Sequence, residues 1–203
     1  MYMMWLLSIA SFLMLGGFLL LSAMRFGIPD MVSDVYYQLR GEYNRSSTGS
    51  TIKPASESSL PPSSCRCGWQ FSVVMIVAAM LMMVCLLDSG EGIQCLAFVG
   101  CAGLMFVGIS PNFVDRTVYP VHKSAAIISA VGCVGWCLSV CWWVTLIIGT
   151  ICLLYLMLSK SLNFAKEMWY IENRKFEAHP WYWAETSAFA DVFITYWVIS
   201  IGL

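Results

Sequence analysis

The chain has 203 residues, of which 59% are hydrophobic and only 11% charged, with a formal net charge of -1. A soluble domain carries about 25% charged residues, so a water-soluble core is the wrong description, and a near-neutral chain without a basic run offers no nucleic-acid surface. Six apolar segments of roughly 20 residues would use most of the length, which points to one compact membrane bundle and leaves no room for a second domain.

The first apolar segment runs from about Met4 to Met24, with Trp5 as an interfacial anchor at its outer end. A secretion signal needs positive charge ahead of its apolar run. Met1 to Leu7 has none and Arg25 follows, so the expectation is an uncleaved span with its N-terminus outside. Residues 26–39, FGIPDMVSDVYYQL, are too short and too polar to span; they read as an interfacial segment opened by Pro29 and Asp30, with Tyr36 and Tyr37 at headgroup level. Residues 42–64 turn to Ser, Thr, Pro and Gly and are expected to form a disordered cytoplasmic loop, because they cannot bury enough apolar surface.

Spans two and three are placed at Trp69 to Leu87 and Ile93 to Ser110, antiparallel neighbours because only the short DSGEG turn joins them. From Ser124 to Ser159 there are 36 residues without a charge. One helix of that length would measure about 54 Å, against a bilayer core of about 30 Å. The stretch is therefore expected to fold back near Ser139 to Trp142, giving span four at Val121 to Leu138 and span five at Trp143 to Leu158. Lys160 to Ala178 follows as a cytoplasmic amphipathic segment. Span six runs from Trp181 to Leu203 after Pro180, a residue suited to a first helical turn, with Trp181, Tyr182 and Trp183 as an aromatic belt.

All eleven Lys and Arg residues then fall in three loops on one side: Arg25, Arg40, Arg45, Lys53 and Arg66; Arg116 and Lys123; Lys160, Lys166, Arg174 and Lys175. By the positive-inside rule those loops are cytoplasmic and both termini lie outside. Treating 124–159 as one span would put four of those charges on the opposite face, so the pattern supports the fold-back. The expected fold is an all-α bundle of six transmembrane helices in a bacterial inner membrane.

Seven of the nine cysteines, Cys85, Cys95, Cys101, Cys133, Cys137, Cys141 and Cys152, sit in or at the ends of apolar segments, where Cys packs as a small hydrophobe. Cys65 and Cys67 form a CxC without a second ligand pair, so zinc has little support. His122 and His179 are too few for a zinc hydrolase, and no HExxH, GxSxG, P-loop or GxGxxG is present. The expectation is a protein without a cofactor or metal and without an enzyme motif.

An ionisable residue inside a membrane needs a reason to be there. Asp191 lies ten residues into span six, with Ser187 and Thr195 at i-4 and i+4 extending a polar stripe on its face. Glu185 lies one turn inside the cytoplasmic end of the same span. In this topology Asp34, Tyr36, Tyr37, Asn112, Asp115, His122 and Glu185 come to one cytoplasmic rim with Asp191 deeper, a candidate polar pocket open to the cytoplasm and inner leaflet. Span four carries Ala125, Ser129, Cys133 and Cys137 at every fourth position, a small-residue ridge for a neighbouring helix, or for a homo-oligomer or membrane partner if it faces outward.

The segments GIPDMVSDVYY, FVGISPNF, VHKSAA and YWAETSAF together resemble a group of uncharacterised six-span bacterial and phage-associated membrane proteins, similar in layout to the DUF998 and Frag1/DRAM/Sfk1-like families. Asp30, Met31 and Val32 depart from the Pro-Ser-Ile-Ser pattern of the first motif. The resemblance implies a fold and a membrane location and transfers no activity. Three functions are open at this level: non-enzymatic binding of a lipid, small amphiphile or partner at the cytoplasmic rim; proton-coupled transport through Asp191; and lipid modification by His122 with a carboxylate.

Overall fold

The computed structural model describes residues 2–40, 43–46, 49–52, 68–111, 117–168 and 179–202. Helix α1 (Tyr2–Phe26) leads through a 3-10 turn at Val32–Asp34 into the short α2 (Val35–Arg40). Two strands follow, β1 (Tyr43–Ser46) and β2 (Gly49–Ile52), and then α3 (Trp69–Asp88), α4 (Gln94–Ile109), α5 (Tyr119–Met168) and α6 (Pro180–Ile201). Apart from the small ribbon, the described architecture is entirely helical.

The ribbon corrects the expectation of disorder from Glu42 onward. Its strands pair antiparallel, Tyr43 opposite Ile52 and Ser46 opposite Gly49. Tyr, Thr and Ile favour extended backbone, and partners so close in sequence close their loop at small entropic cost. Residues 53–64 of that expected loop, and Cys65 and Cys67, lie outside the described residues.

Each helix contact fixes a direction. On α1 and α3, Met4 meets Cys85, Ser11 donates to the Ala78 carbonyl and Phe18 meets Phe71, so the two run antiparallel. The tight loop after Asp88 turns the chain into α4, and Gly92 there takes a left-handed φ of 65° that only glycine adopts easily. The start of α5 runs back along α4, with Gly92 against Ser139 and Val140, Gly100 against Gly132 and Cys133, and Gly103 against Ala125 and Ser129. Helix α6 runs antiparallel to α1, because Ser8 and Phe12 meet Trp197 and Phe12 also meets Phe193.

These directions require α5 to reverse. Its backbone leaves helical geometry at Cys141, with φ -144° and ψ 68°, inside the Ser139 to Trp142 window. Before the break, Cys133 shares a cavity wall with Phe189 and Phe193, and Cys137 contacts Thr195, so α5 advances in the same direction as α6. After it, Thr145 meets Asp191 and Tyr155 meets Trp183, so α5 runs against α6.

Several small polar residues point in, beside a core that includes Phe71, Met75, Leu86 and Trp136, and many large apolar residues point out. Ser8, Ser11, Ser129 and Thr195 are buried, while Leu6, Leu13, Leu20, Val131, Leu146, Ile147, Ile151, Leu154 and Met157 are exposed. That is the inverse of a soluble protein and suits a hydrocarbon surround, where helix contacts are made by small residues. Three described helical segments are long and apolar enough to cross a membrane: Tyr2–Phe26, Trp69–Asp88 and Tyr119–Leu158; the apolar α4 is shorter. The chain is a helical integral membrane protein.

Of the ridge Ala125, Ser129, Cys133 and Cys137, the first three meet α4, while Cys137 meets Asp191 and Thr195 of α6. A Cβ on Gly103 would stand 2.9 Å from the Ala125 carbonyl oxygen, and one on Gly100 would stand 2.6 Å from the Cys133 nitrogen. The glycines of α4 let two backbones meet along this part of the ridge.

Candidate functional site

Asp191 is 3% exposed, midway along α6. The Thr145 hydroxyl donates to its Oδ1 at 3.2 Å and the Thr195 hydroxyl to the same oxygen at 3.4 Å, while the Cys137 thiol also contacts the carboxyl. Cys137 and Thr145 stand four residues before and four after the break at Cys141. On a continuous helix they would be about 12 Å apart along the axis, too far to share one carboxyl. The reversal of α5 is what assembles the site. Asp191 engages no basic side chain among the described residues.

Ser187 does not join this group, because its hydroxyl donates to the Ala184 carbonyl one turn back. The polar stripe read along α6 is therefore confined to Asp191 and Thr195. Thr145 was missed in the sequence; an isolated hydroxyl in the apolar run after Trp142 was the available signal, but nothing in one chain says which helix it faces.

A second polar cluster straps the segment after α1 to the start of α6. The Val32 amide donates to Glu185 Oε2 at 2.7 Å, the Met31 amide donates to Asp34 Oδ2 at 3.0 Å, and the Tyr182 amide donates to the Asp30 carbonyl at 2.9 Å. His179 Nδ1 lies 3.1 Å from Asp30 Oδ1. His179 is buried, and it takes a left-handed φ of 37° as α6 begins. Burial pushes the Asp34 carboxyl up to about 6, helped by nearby Asp30 and opposed by the Met31 amide.

Asp34 and Glu185 therefore come together at one end of the bundle, where Glu185 also feels the charge of Asp34. One oxygen of each accepts a backbone amide, so this corner of the expected rim works as a clasp. Tyr37 is 2% exposed and packs edge-on to Tyr36, which in turn reaches Phe71. Tyr37 thus belongs to the core, where the segment folds back over α3. Tyr182 likewise turns inward, leaving Trp181 and Trp183 exposed. Gln38 is buried, gives its amide to the Gly27 carbonyl at 3.2 Å and leaves Oε1 without a partner.

His122 is buried at the start of α5, with Nδ1 2.7 Å from the Ser110 carbonyl oxygen. A carbonyl only accepts, so Nδ1 carries the proton in this contact. The bond ties the end of α4 to the start of α5. Asn112 and Asp115 lie outside the described residues.

No family model, no curated protein and no solved structure matches the chain.

Proposed function

We propose that the protein is a small proton-coupled carrier of a bacterial cytoplasmic membrane, with Asp191 as the coupling carboxyl. The observation that carries this reading is a buried mid-helix carboxylate held across the break of another helix. Intramembrane carboxylates facing a bundle interior mark proton and ion pathways, and carrier sites are commonly built at interrupted helices. The alternatives have less behind them. In the rim cluster one oxygen each of Asp34 and Glu185 accepts an amide of the strap, and His122 meets the Ser110 carbonyl.

The carrier is proposed to have six spans with both termini outside. Support comes from the alternating helix directions with the reversal at Cys141, and from Arg25 and Lys123 lying at the same end as the start of α6. In a cysteine-free background, an impermeant maleimide added to intact cells should label Ser89→Cys and spare Ser56→Cys; the opposite pattern inverts the orientation.

The coupling role is tested in proteoliposomes holding a pH indicator and challenged with a panel of amines, amino acids and organic acids. The wild type should show proton flux with at least one compound, and Asp191→Asn should lose it while melting as the wild type does. An equal flux in both proteins removes Asp191 from the mechanism.

A further inference from the structure

We propose that residues 27–39, the strap laid across the start of α6, form a pH-operated cover, latched while the corner that holds Asp34 and Glu185 is protonated and released when both carboxyls ionise. The device goes beyond the carrier reading and does not depend on Asp191.

The latch is built from groups that titrate. Val32, Ser33, Asp34, Val35, Tyr37 and Gln38 are all buried, none more than 7% exposed. The bonds that tie this polar segment to the start of α6 include the Val32 amide to Glu185 Oε2 at 2.7 Å, the Tyr182 amide to the Asp30 carbonyl at 2.9 Å, and His179 Nδ1 3.1 Å from Asp30 Oδ1. Asp34 Oδ2 accepts the Met31 amide at 3.0 Å, so Asp34 and Glu185 take consecutive amides and share one buried corner. Gly27, with a left-handed φ of 85°, supplies a hinge where the strap leaves α1, and the Gln38 amide closes the far end back onto the Gly27 carbonyl at 3.2 Å.

Two carboxylates in that corner repel each other and lose their hydration together. No opposite charge offsets them among the described side chains. Arg25 of α1 lies over the Phe26 ring, α3 begins with uncharged Trp69 and Gln70, α2 brings the phenols of Tyr36 and Tyr37, and α6 brings Tyr182. His179 faces Asp30, where a protonated imidazole draws the strap inward, so acid acts there in the closing sense. For Asp34, burial favours the protonated carboxyl, the Met31 amide opposes it and Asp30 adds to it, which leaves the group at about 6. Its contribution to closure is therefore complete below the ordinary 3.8 and is lost as pH rises through about 6. If release restores the ordinary value, this one group raises the open fraction roughly 10-fold between pH 5 and pH 8. Opening uncovers Tyr182 and Glu185 on the first two turns of α6.

The test is hydrogen–deuterium exchange of the full chain in nanodiscs at pH 5 and pH 8, each amide corrected for its intrinsic exchange rate. Protection of residues 31–38 should fall roughly 10-fold or more at pH 8, while that of α3 stays unchanged. Asp34→Asn with Glu185→Gln keeps both acceptors and should hold the strap equally protected at the two pH values; Asp34→Asn alone should shrink the fall. Equal strap protection in the wild type at both pH values overturns the cover. So does a fall shared equally by α3, which is global unfolding, or a fall of wild-type size in the variants.

Discussion

Replacing Gly132 with leucine should prise α4 from α5 and cost more than the about 1–3 kcal/mol of ordinary overpacking. A Cβ on Gly132 would stand 2.6 Å from the Gly100 Cα and nitrogen and 2.8 Å from the Leu96 carbonyl oxygen. All three are backbone atoms, so no rotamer change relieves the clash and the helices must separate. The same crossing carries Gly103 on Ser129 and Cys133 beside Gly100, so the damage spreads along the contact. Gly149 provides the matched control on the same helix, since a Cβ there meets nothing within 4 Å. Gly149→Leu should be neutral or stabilising by up to about 1 kcal/mol from helix propensity. Thermal unfolding of the detergent-purified proteins, with size-exclusion profiles, distinguishes the two; a Gly132→Leu protein as stable as Gly149→Leu would refute the crossing.

The clasp at the charged end should make the protein less stable above pH 6 than below pH 4. Asp34 is 5% exposed, and burial moves its carboxyl from an ordinary 3.8 to about 6. The fold therefore favours the protonated form. Its contribution is complete below about pH 4, where folded and unfolded chains both carry the proton, and is lost as pH rises through about 6, where the folded chain must surrender it. At about 1.4 kcal/mol for each tenfold change in proton affinity, the difference amounts to roughly 3 kcal/mol across that window. Asp34→Asn removes the titration while keeping an oxygen to accept the Met31 amide. The variant should match the wild type near pH 4 and exceed it at pH 7.5, read as the difference between their melting temperatures so that other titrating groups cancel. A difference that stays constant from pH 4 to pH 7.5 would show that Asp34 keeps its ordinary proton affinity in the folded protein.

Much of the fold was legible in one dimension because the membrane supplies a simple physical rule. A backbone in hydrocarbon must satisfy its own hydrogen bonds, so long apolar runs can only be helices. The uncharged stretch after Lys123 was too long for one crossing, which required a turn without any knowledge of contacts. Glycine and serine spacing on α4 and α5 showed that close packing was wanted, though it could not say that the ridge met its partner inside the same chain. The ribbon at Tyr43–Ile52 escaped notice because composition reports the apolar surface available to a segment and says nothing of local strand pairing.

The candidate site divides in the same way. Asp191 announced itself in the sequence, since a charge in an apolar helix is costly wherever that helix lies. Thr195, one turn on, was legible with it, but the partner on the other helix was not. Thr145 is 46 residues away in the chain, and only the reversal at Cys141 together with the packing of α5 on α6 brings its hydroxyl to the carboxylate. Asp34 and Glu185 could be assigned to one end of the bundle from topology, but their engagement by the Met31 and Val32 amides depended on how the segment after α1 settles on α6. Hydropathy and charge, which act residue by residue against lipid and water, determined the class and the helices. Long-range contacts, which depend on which faces meet, decided which of those groups share a site.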